Sequence, residues 1–127
     1  MSKTVFAFGR MNPPTIGHEK LAMKVASEAK KRRAMPHIFL SHSQDKKKNP
    51  LTYNQKIMYA TKAFGKMVTK SSARTIIQVM QDLQKMGHTE VVLVAGSDRV
   101  TEFKNLLEKY NGKDYTFDKI EVISAGA

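Results

Sequence analysis

The stretch EVVLVA, residues 90–95, restricts the fold more than any other feature of the chain. From Val91 to Ala95 no polar residue interrupts the run, the pattern of a strand covered on both faces, as in a parallel sheet flanked by helices. Such a strand needs neighbours that alternate with helices. TVFAF, 4–8, is a short apolar, β-rich run bounded by Gly9. From His18 to about Ala34, Leu21, Val25 and Ala29 recur every four residues with Ala22 and Ala26 beside them, while Lys20, Lys24, Glu28 and Lys31 face elsewhere. That spacing predicts an amphipathic helix, stopped by Pro36. HIFLS, 37–41, reads as a second strand, and the polar SHSQDKKKNP, 41–50, as a loop.

The second half repeats the alternation. Thr52 and Gln55 form a capping box ahead of Ile57, Tyr59, Ala60, Ala63 and Phe64, and Gly65 closes that helix. KMVTKSS, 66–72, holds a short edge strand. A helix over about 73–86 carries the stripe Ile76, Ile77, Met80 and Leu83 and ends at Gly87. After EVVLVA come GSDR, a helix over about 99–110, the turn NGKD and a last strand, KIEVIS, at 119–124. The alternation predicts an open parallel α/β sheet with right-handed crossovers. At 127 residues the chain suits one such domain and is too short for two, so 1–127 is expected to be a single unit.

Composition narrows the chemistry. With no cysteine, a disulfide framework, a thiolate metal site and a Cys nucleophile are all excluded. Lys and Arg number 22 against 11 Asp and Glu, a net charge of +11 that favours an anionic partner. Lys30-Lys31-Arg32-Arg33 is expected to be a solvated helix face, whereas Lys46-Lys47-Lys48 is a candidate phosphate contact. No apolar run approaches the roughly 20 residues of a membrane span, and MSKTVFAFGR is too short in its apolar part for a secretory signal. A cytoplasmic protein without a membrane partner is expected.

The turn FGRMNPPTIGHEKL, 8–21, concentrates awkward residues where a ligand would sit in such a sheet, outside the carboxyl ends of its strands. Gly9 allows unusual dihedrals at the strand exit, and Pro13 and Pro14 stiffen the loop. Gly17 lets an anion approach the free N–H groups of the helix start, with His18 and Thr15 as further donors. The residues therefore suit a phosphate cradle. They would equally serve an ordinary βα turn, with His18 as a cap or a surface residue.

Gly9-Arg10-Met11-Asn12-Pro13-Pro14-Thr15-Ile16-Gly17-His18 resembles the HxGH signature of the nucleotidyltransferase superfamily, which includes nicotinamide-mononucleotide and phosphopantetheine adenylyltransferases and the cytidylyltransferases. Strand, glycine, Asn-Pro and the terminal Gly-His occur in the right order. The first His of the pattern is Thr15 here, which keeps a hydrogen-bond donor and loses any positive charge. KKKNPLTYNQK, 46–56, resembles the family loop whose lysine reaches the phosphates, with Lys48 first and Lys47 second, and Gly96-Ser97-Asp98 stands where the family carries a Gly-x-Asp stretch. Asp98 is also a candidate N-cap for the helix that follows it.

The resemblance implies a Rossmann-like open parallel five-stranded sheet in the order 3-2-1-4-5 with helices on both faces. It also implies transfer of a nucleoside monophosphate, AMP before CMP, from a nucleoside triphosphate to a phosphate-bearing small molecule, with release of pyrophosphate. His18, Thr15 and Lys48 would carry the chemistry, while Gly9, Arg10, Met11, Asn12 and Gly17, with Lys47, Gly96 and Asp98, would hold nucleotide or phosphate. Mg²⁺ would arrive on the phosphates, because it keeps its waters and needs few protein ligands. No side-chain metal cluster is expected: His37, His42 and His88 lack ligand spacing. A second family signature, Ile-Ser-Ser-Thr-x-x-Arg, is matched only in its first residues by Ile123-Ser124-Ala125-Gly126, so the C-terminal part of the family fold is expected to be missing or dispensable.

Two other classes compete. A basic nucleotide- or nucleic-acid-binding module with the same fold and no turnover would explain the charge, but the chain has no Trp, and Phe6, Phe8, Phe39 and Phe64 read as core residues, which leaves little to stack bases on. In a purely structural or partner-binding domain, Gly17-His18 would be incidental.

Overall fold

The computed structural model describes residues 2–9, 16–42 and 52–126, with the backbone alone at 16–18. Five strands, β1 (Ser2–Gly9), β2 (Met35–Leu40), β3 (Val68–Thr69), β4 (His88–Ala95) and β5 (Lys119–Ser124), form one sheet in the order β3-β2-β1-β4-β5, with every pairing parallel. Helices α1 (Ile16–Arg32), α2 (Tyr53–Phe64), α3 (Ile76–Lys85) and α4 (Val100–Lys109) connect them. The order is the one expected.

The pleat explains why EVVLVA is apolar throughout. Val92 and Val94 join Val5, Ala7, Ile38 and Leu40 on one face, where Ala22, Val25 and Ala29 of α1 and Ala60 of α2 meet them. Val91, Leu93 and Ala95 join Phe6 and Phe39 on the other, against Ile76, Val79, Met80 and Leu83 of α3 and Leu107 of α4. Successive residues of β4 therefore serve different cores, and no position can be polar without facing a helix.

Some boundaries differ from those the sequence predicts. Pro36 does not stop α1. The helix ends at Arg32, Arg33 takes a left-handed φ of 56°, and Ala34 N–H closes on the Ala29 carbonyl at 2.8 Å. Pro36 lies inside β2 opposite Val5, at a level that β3 does not reach because it pairs only with Ile38 and Phe39. A residue without an N–H is tolerated at such a local edge. Helix α3 starts at Ile76 and not at 73, because the Thr75 hydroxyl accepts from Gln78 N–H at 3.2 Å and fixes the cap there. The Thr52/Gln55 capping box is present as expected, both bonds made.

The basic run at the end of α1 is only partly a solvated face. Arg32 bonds Glu28 Oε1 at 3.0 Å and Glu121 Oε2 at 2.8 Å, strapping α1 to β5. Glu28 is itself buried, and the Arg32 hydrogen bond, helped by Lys24 and Lys31, holds its carboxyl below the usual range. Lys30, Lys31 and Arg33 are exposed.

A polar chain crosses the α3/α4 face at the amino end of the sheet. The Thr69 hydroxyl donates to the Met67 carbonyl at 3.2 Å, so it accepts from His37 Nδ1 at 2.8 Å. His37 Nε2 is then the acceptor for His88 Nε2 at 3.4 Å, and His88 Nδ1 accepts from the Ser2 hydroxyl at 2.7 Å. Both imidazoles are neutral in this arrangement, and the tautomers follow from the network. Burial lowers the affinity of both rings for a second proton, and for His37 the neighbouring His88 adds to the effect. Because the folded values lie below the ordinary 6.5, the folded state binds fewer protons than the unfolded chain. Stability is therefore full above pH 6.5 and falls as pH drops through the lowered values. Glu28 acts only below its own reference of 4.5, so the window between separates the two effects. The urea midpoint is expected to be lower at pH 5 than at pH 7.5; equal midpoints would contradict this account.

Among the described residues no helix is long and apolar enough to cross a membrane.

Candidate functional site

In a sheet of this order the chain leaves β1 toward β2 and β3, then returns across it to β4, so strand order reverses between β1 and β4. The ladder between these two strands runs only from Ser2 to Phe6, opposite His88 to Leu93. Beyond that point β1 stays with β2, Gly9 opposite Leu40, while β4 stays with β5, Ala95 opposite Ser124. Backbone bonds past the strand ends keep the same partners, Ser41 N–H to the Gly9 carbonyl at 2.8 Å and Ala125 N–H to the Ala95 carbonyl at 2.9 Å. A crevice opens between β1 and β4 at their carboxyl ends. This is where open α/β sheets bind ligands.

Gly9 ends β1 on one side of this crevice, and Gly96 follows β4 on the other. Gly17 and His18 lie in the first turn of α1, where backbone N–H groups lack intrahelical acceptors. Asp98 is exposed and folds back over Gly96: a Cβ at position 96 would stand 3.0 Å from Asp98 Oδ1, closer than most side chains tolerate. The N-cap of α4 is Arg99 and not Asp98, and it makes no side-chain capping bond, since a guanidinium has no acceptor to offer the helix N–H groups; Arg99 pairs instead with Glu102 at 2.8 Å and lies over the Phe103 ring. Asp98 is thus relieved of the capping role. Of the remaining candidates, Arg10, Met11, Asn12, Thr15, Lys47 and Lys48 lie outside the described residues, as does the side chain of His18.

Several residues that sequence reasoning passed over gather at the carboxyl end of β2. Lys56 is fully buried, and its ammonium donates to the Ser41 carbonyl at 3.3 Å and to Ser41 Oγ at 3.5 Å. His42 stacks on Tyr53 with centroids 3.7 Å apart and an 8° tilt. Its Nε2–H donates to the Ser71 carbonyl at 2.7 Å, while Ser71 N–H donates to the Tyr53 hydroxyl at 2.8 Å. Burial pushes the Tyr53 phenol above its ordinary range. Ser71 also donates from its hydroxyl to the Asp82 carboxylate. A signal for Lys56 was available: with Tyr53 and Ala60 it occupies i, i+3 and i+7, the sheet-facing side of α2.

An open concavity of about 820 Å³ lies at the opposite, amino edge of the sheet. Its Lys3, Arg32 and Arg33 are interleaved with Glu90 and Asp118, so it offers an anion no surface of one sign.

The family model described as cytidylyltransferase-like matches residues 6–123, which takes in most of both cores, the crevice and all but the last residue of β5. None of the curated proteins matches the chain. Among solved structures, a protein from Vibrio parahaemolyticus provisionally named nicotinate-nucleotide adenylyltransferase superposes with a TM-score of 0.58 at 18% identity, over 100% of this chain and 76% of that one. At that identity the likeness speaks for the fold. The family match over nearly the whole length speaks for more: the chain belongs to the cytidylyltransferase-like family of nucleotidyltransferases.

Proposed function

We propose that residues 1–127 act as one nucleotidyltransferase domain in the cytoplasm, moving a nucleoside monophosphate, AMP in preference to CMP, from a nucleoside triphosphate to a phosphate-bearing small molecule. The observation that carries the reading is the crevice between β1 and β4, with Gly9 and Gly96 at its lips and Gly17-His18 opening α1. An acceptor oxygen attacks the α-phosphate, the α–β bridging bond breaks, and pyrophosphate leaves. No covalent enzyme intermediate is needed, so the protein's work is positioning and charge stabilisation.

In this reading His18 donates to the α-phosphate oxygens as charge develops. Thr15, Gly17 and Gly9 hold the phosphate chain, with Met11 and Asn12 beside it, and Arg10, Lys47 and Lys48 take phosphates of nucleotide or acceptor. Gly96 lets the ligand approach the end of β4, and Asp98, exposed and free of the cap, meets the nucleotide or acceptor. Among the described residues no three His, Asp or Glu side chains gather into a metal site; in this reading an Mg²⁺ ion would be carried by the phosphates and keep most of its waters. When bound, it would neutralise charge on the phosphate chain.

The test is a thermal shift with MgATP, MgCTP, MgGTP and MgUTP. A ligand at a hundred times its dissociation constant adds about 2.7 kcal/mol, several degrees for a domain of this size. The largest shift is expected with MgATP. No shift with any of the four would remove this reading and bring forward a basic binding module that takes polyanions, whose affinity would fall steeply with salt.

A further inference from the structure

Two neutral imidazoles whose ring nitrogens face each other can share a proton or hold a metal ion, and their spacing separates the two cases. The Nε2 atoms of His37 and His88 stand 3.4 Å apart, with ring centres at 5.4 Å. That is long for a hydrogen bond, which in ordinary protein N–H···O pairs spans about 2.7–3.2 Å. A tetrahedral ion bound to two imidazole nitrogens at about 2.0–2.1 Å would set them about 3.3 Å apart. The spacing matches the ion.

The far side of each ring is prepared as well. His37 Nδ1 donates to the Thr69 hydroxyl at 2.8 Å, whose own proton goes to the Met67 carbonyl. His88 Nδ1 meets the Ser2 hydroxyl at 2.7 Å, and a hydroxyl accepts as readily as it donates. Moving the His88 ring proton from Nε2 to Nδ1 therefore keeps that contact with its direction reversed, and it frees both Nε2 lone pairs. Metal-bound histidines are oriented in this way by the group behind them. His88 is buried and His37 half-buried, so the pair is held firmly and still meets solvent on one side.

From this geometry we propose that His37 and His88 form a two-histidine site for a divalent ion of the zinc class, which clips β2 to β4 across β1. Imidazole suits Zn²⁺, Ni²⁺ and Cu²⁺, whereas Mg²⁺ prefers oxygen. Among the described residues no third His, Asp or Glu gathers with the pair, so waters fill the remaining positions. The site lies at the amino end of the sheet, away from the crevice, and does not depend on the nucleotidyltransferase reading. Ligands 51 positions apart leave no spacing motif in the sequence.

The experiment adds Zn²⁺ to the tag-free chain, freed of metal by a chelator, and follows the histidine ring nitrogens by NMR together with the thermal midpoint. The chain has four histidines, so each ring can be followed separately. Zn²⁺ is expected to shift Nε2 of His37 and His88 with the proton of each ring on Nδ1, and at a hundred times its dissociation constant to raise the midpoint by several degrees. Mg²⁺ at the same concentration is expected to do neither. His37→Gln and His88→Gln are expected to abolish the zinc-dependent rise, His42→Gln to keep it, and Thr69→Val to weaken zinc binding about tenfold by removing the hydroxyl behind His37. If a histidine variant fails to fold, the ring spectra of the native chain decide. Unmoved His37 and His88 rings, an equal rise with Mg²⁺, or a rise that survives in His37→Gln would each overturn the proposal.

Discussion

Replacing His18 with Ala is expected to lower turnover by two to three decades while leaving the thermal midpoint close to that of the native chain. The size follows from the cost of removing one hydrogen-bond donor to developing charge, about 2.7–4 kcal/mol. The separation from stability follows from what holds α1 in place. Ala22, Val25 and Ala29 anchor it to the sheet, and the Glu28–Arg32–Glu121 ion pairs fasten its far end. Alanine is also a better helix former than histidine. The measurement is pyrophosphate release from MgATP with whichever phosphate-bearing acceptor the native chain uses, alongside a melting curve. Turnover within a factor of three of native would strip His18 of its role, and a collapsed midpoint would show that the side chain supports the fold instead.

Phe6→Ala is expected to be the most damaging single change to stability, about 3–5 kcal/mol. Phe6 is fully buried and meets Phe39 edge-on, with centroids 6.4 Å apart and an 84° interplanar angle. It sits in the middle strand, opposite His37 on one side and Leu93 on the other. Truncation would leave a cavity bounded by rigid sheet and by α3, a place with little freedom to collapse. For a chain of this length the loss corresponds to a fall of more than about 10 °C in melting temperature. Urea unfolding measures it directly; a loss under about 1 kcal/mol would contradict the packing of this core.

Much of this architecture is local and was therefore legible. EVVLVA announces a strand buried on both faces, Thr52 and Gln55 announce a helix start, and strand–helix alternation leads to a parallel sheet. Gly17-His18 was legible as a motif because its residues are neighbours in sequence. What could not be read depends on partners far along the chain. Pro36 looked like a helix stop, yet the short reach of β3 makes room for it inside β2, and the stop is Arg33. His37 and His88, 51 positions apart, gave no sign of their hydrogen bond, and Arg32 in a basic run gave none of its tie to Glu121. Lys56 was hidden by its type, since charge argued for solvent where spacing argued for the sheet. The crevice depends on where pairing between β1 and β4 stops, and no residue type marks that point.

The early end of that ladder makes the sheet a pair of leaves bound along one spine. β3, β2 and β1 form one leaf, β4 and β5 the other, and the stitching between them covers only Ser2 to Phe6. Two further fasteners cross the seam near the same end: the His37–His88 bond, and the Arg32–Glu121 pair that runs from the helix over one leaf to the edge strand of the other. The unstitched end is where a triphosphate would enter. Beyond the last stitch, Val94 shares one core with Ala7 and Leu40, and Ala95 shares the other with Phe39 and Phe8, so at the lips formed by Gly9 and Gly96 the two leaves are held by side-chain packing where backbone bonds between them are missing.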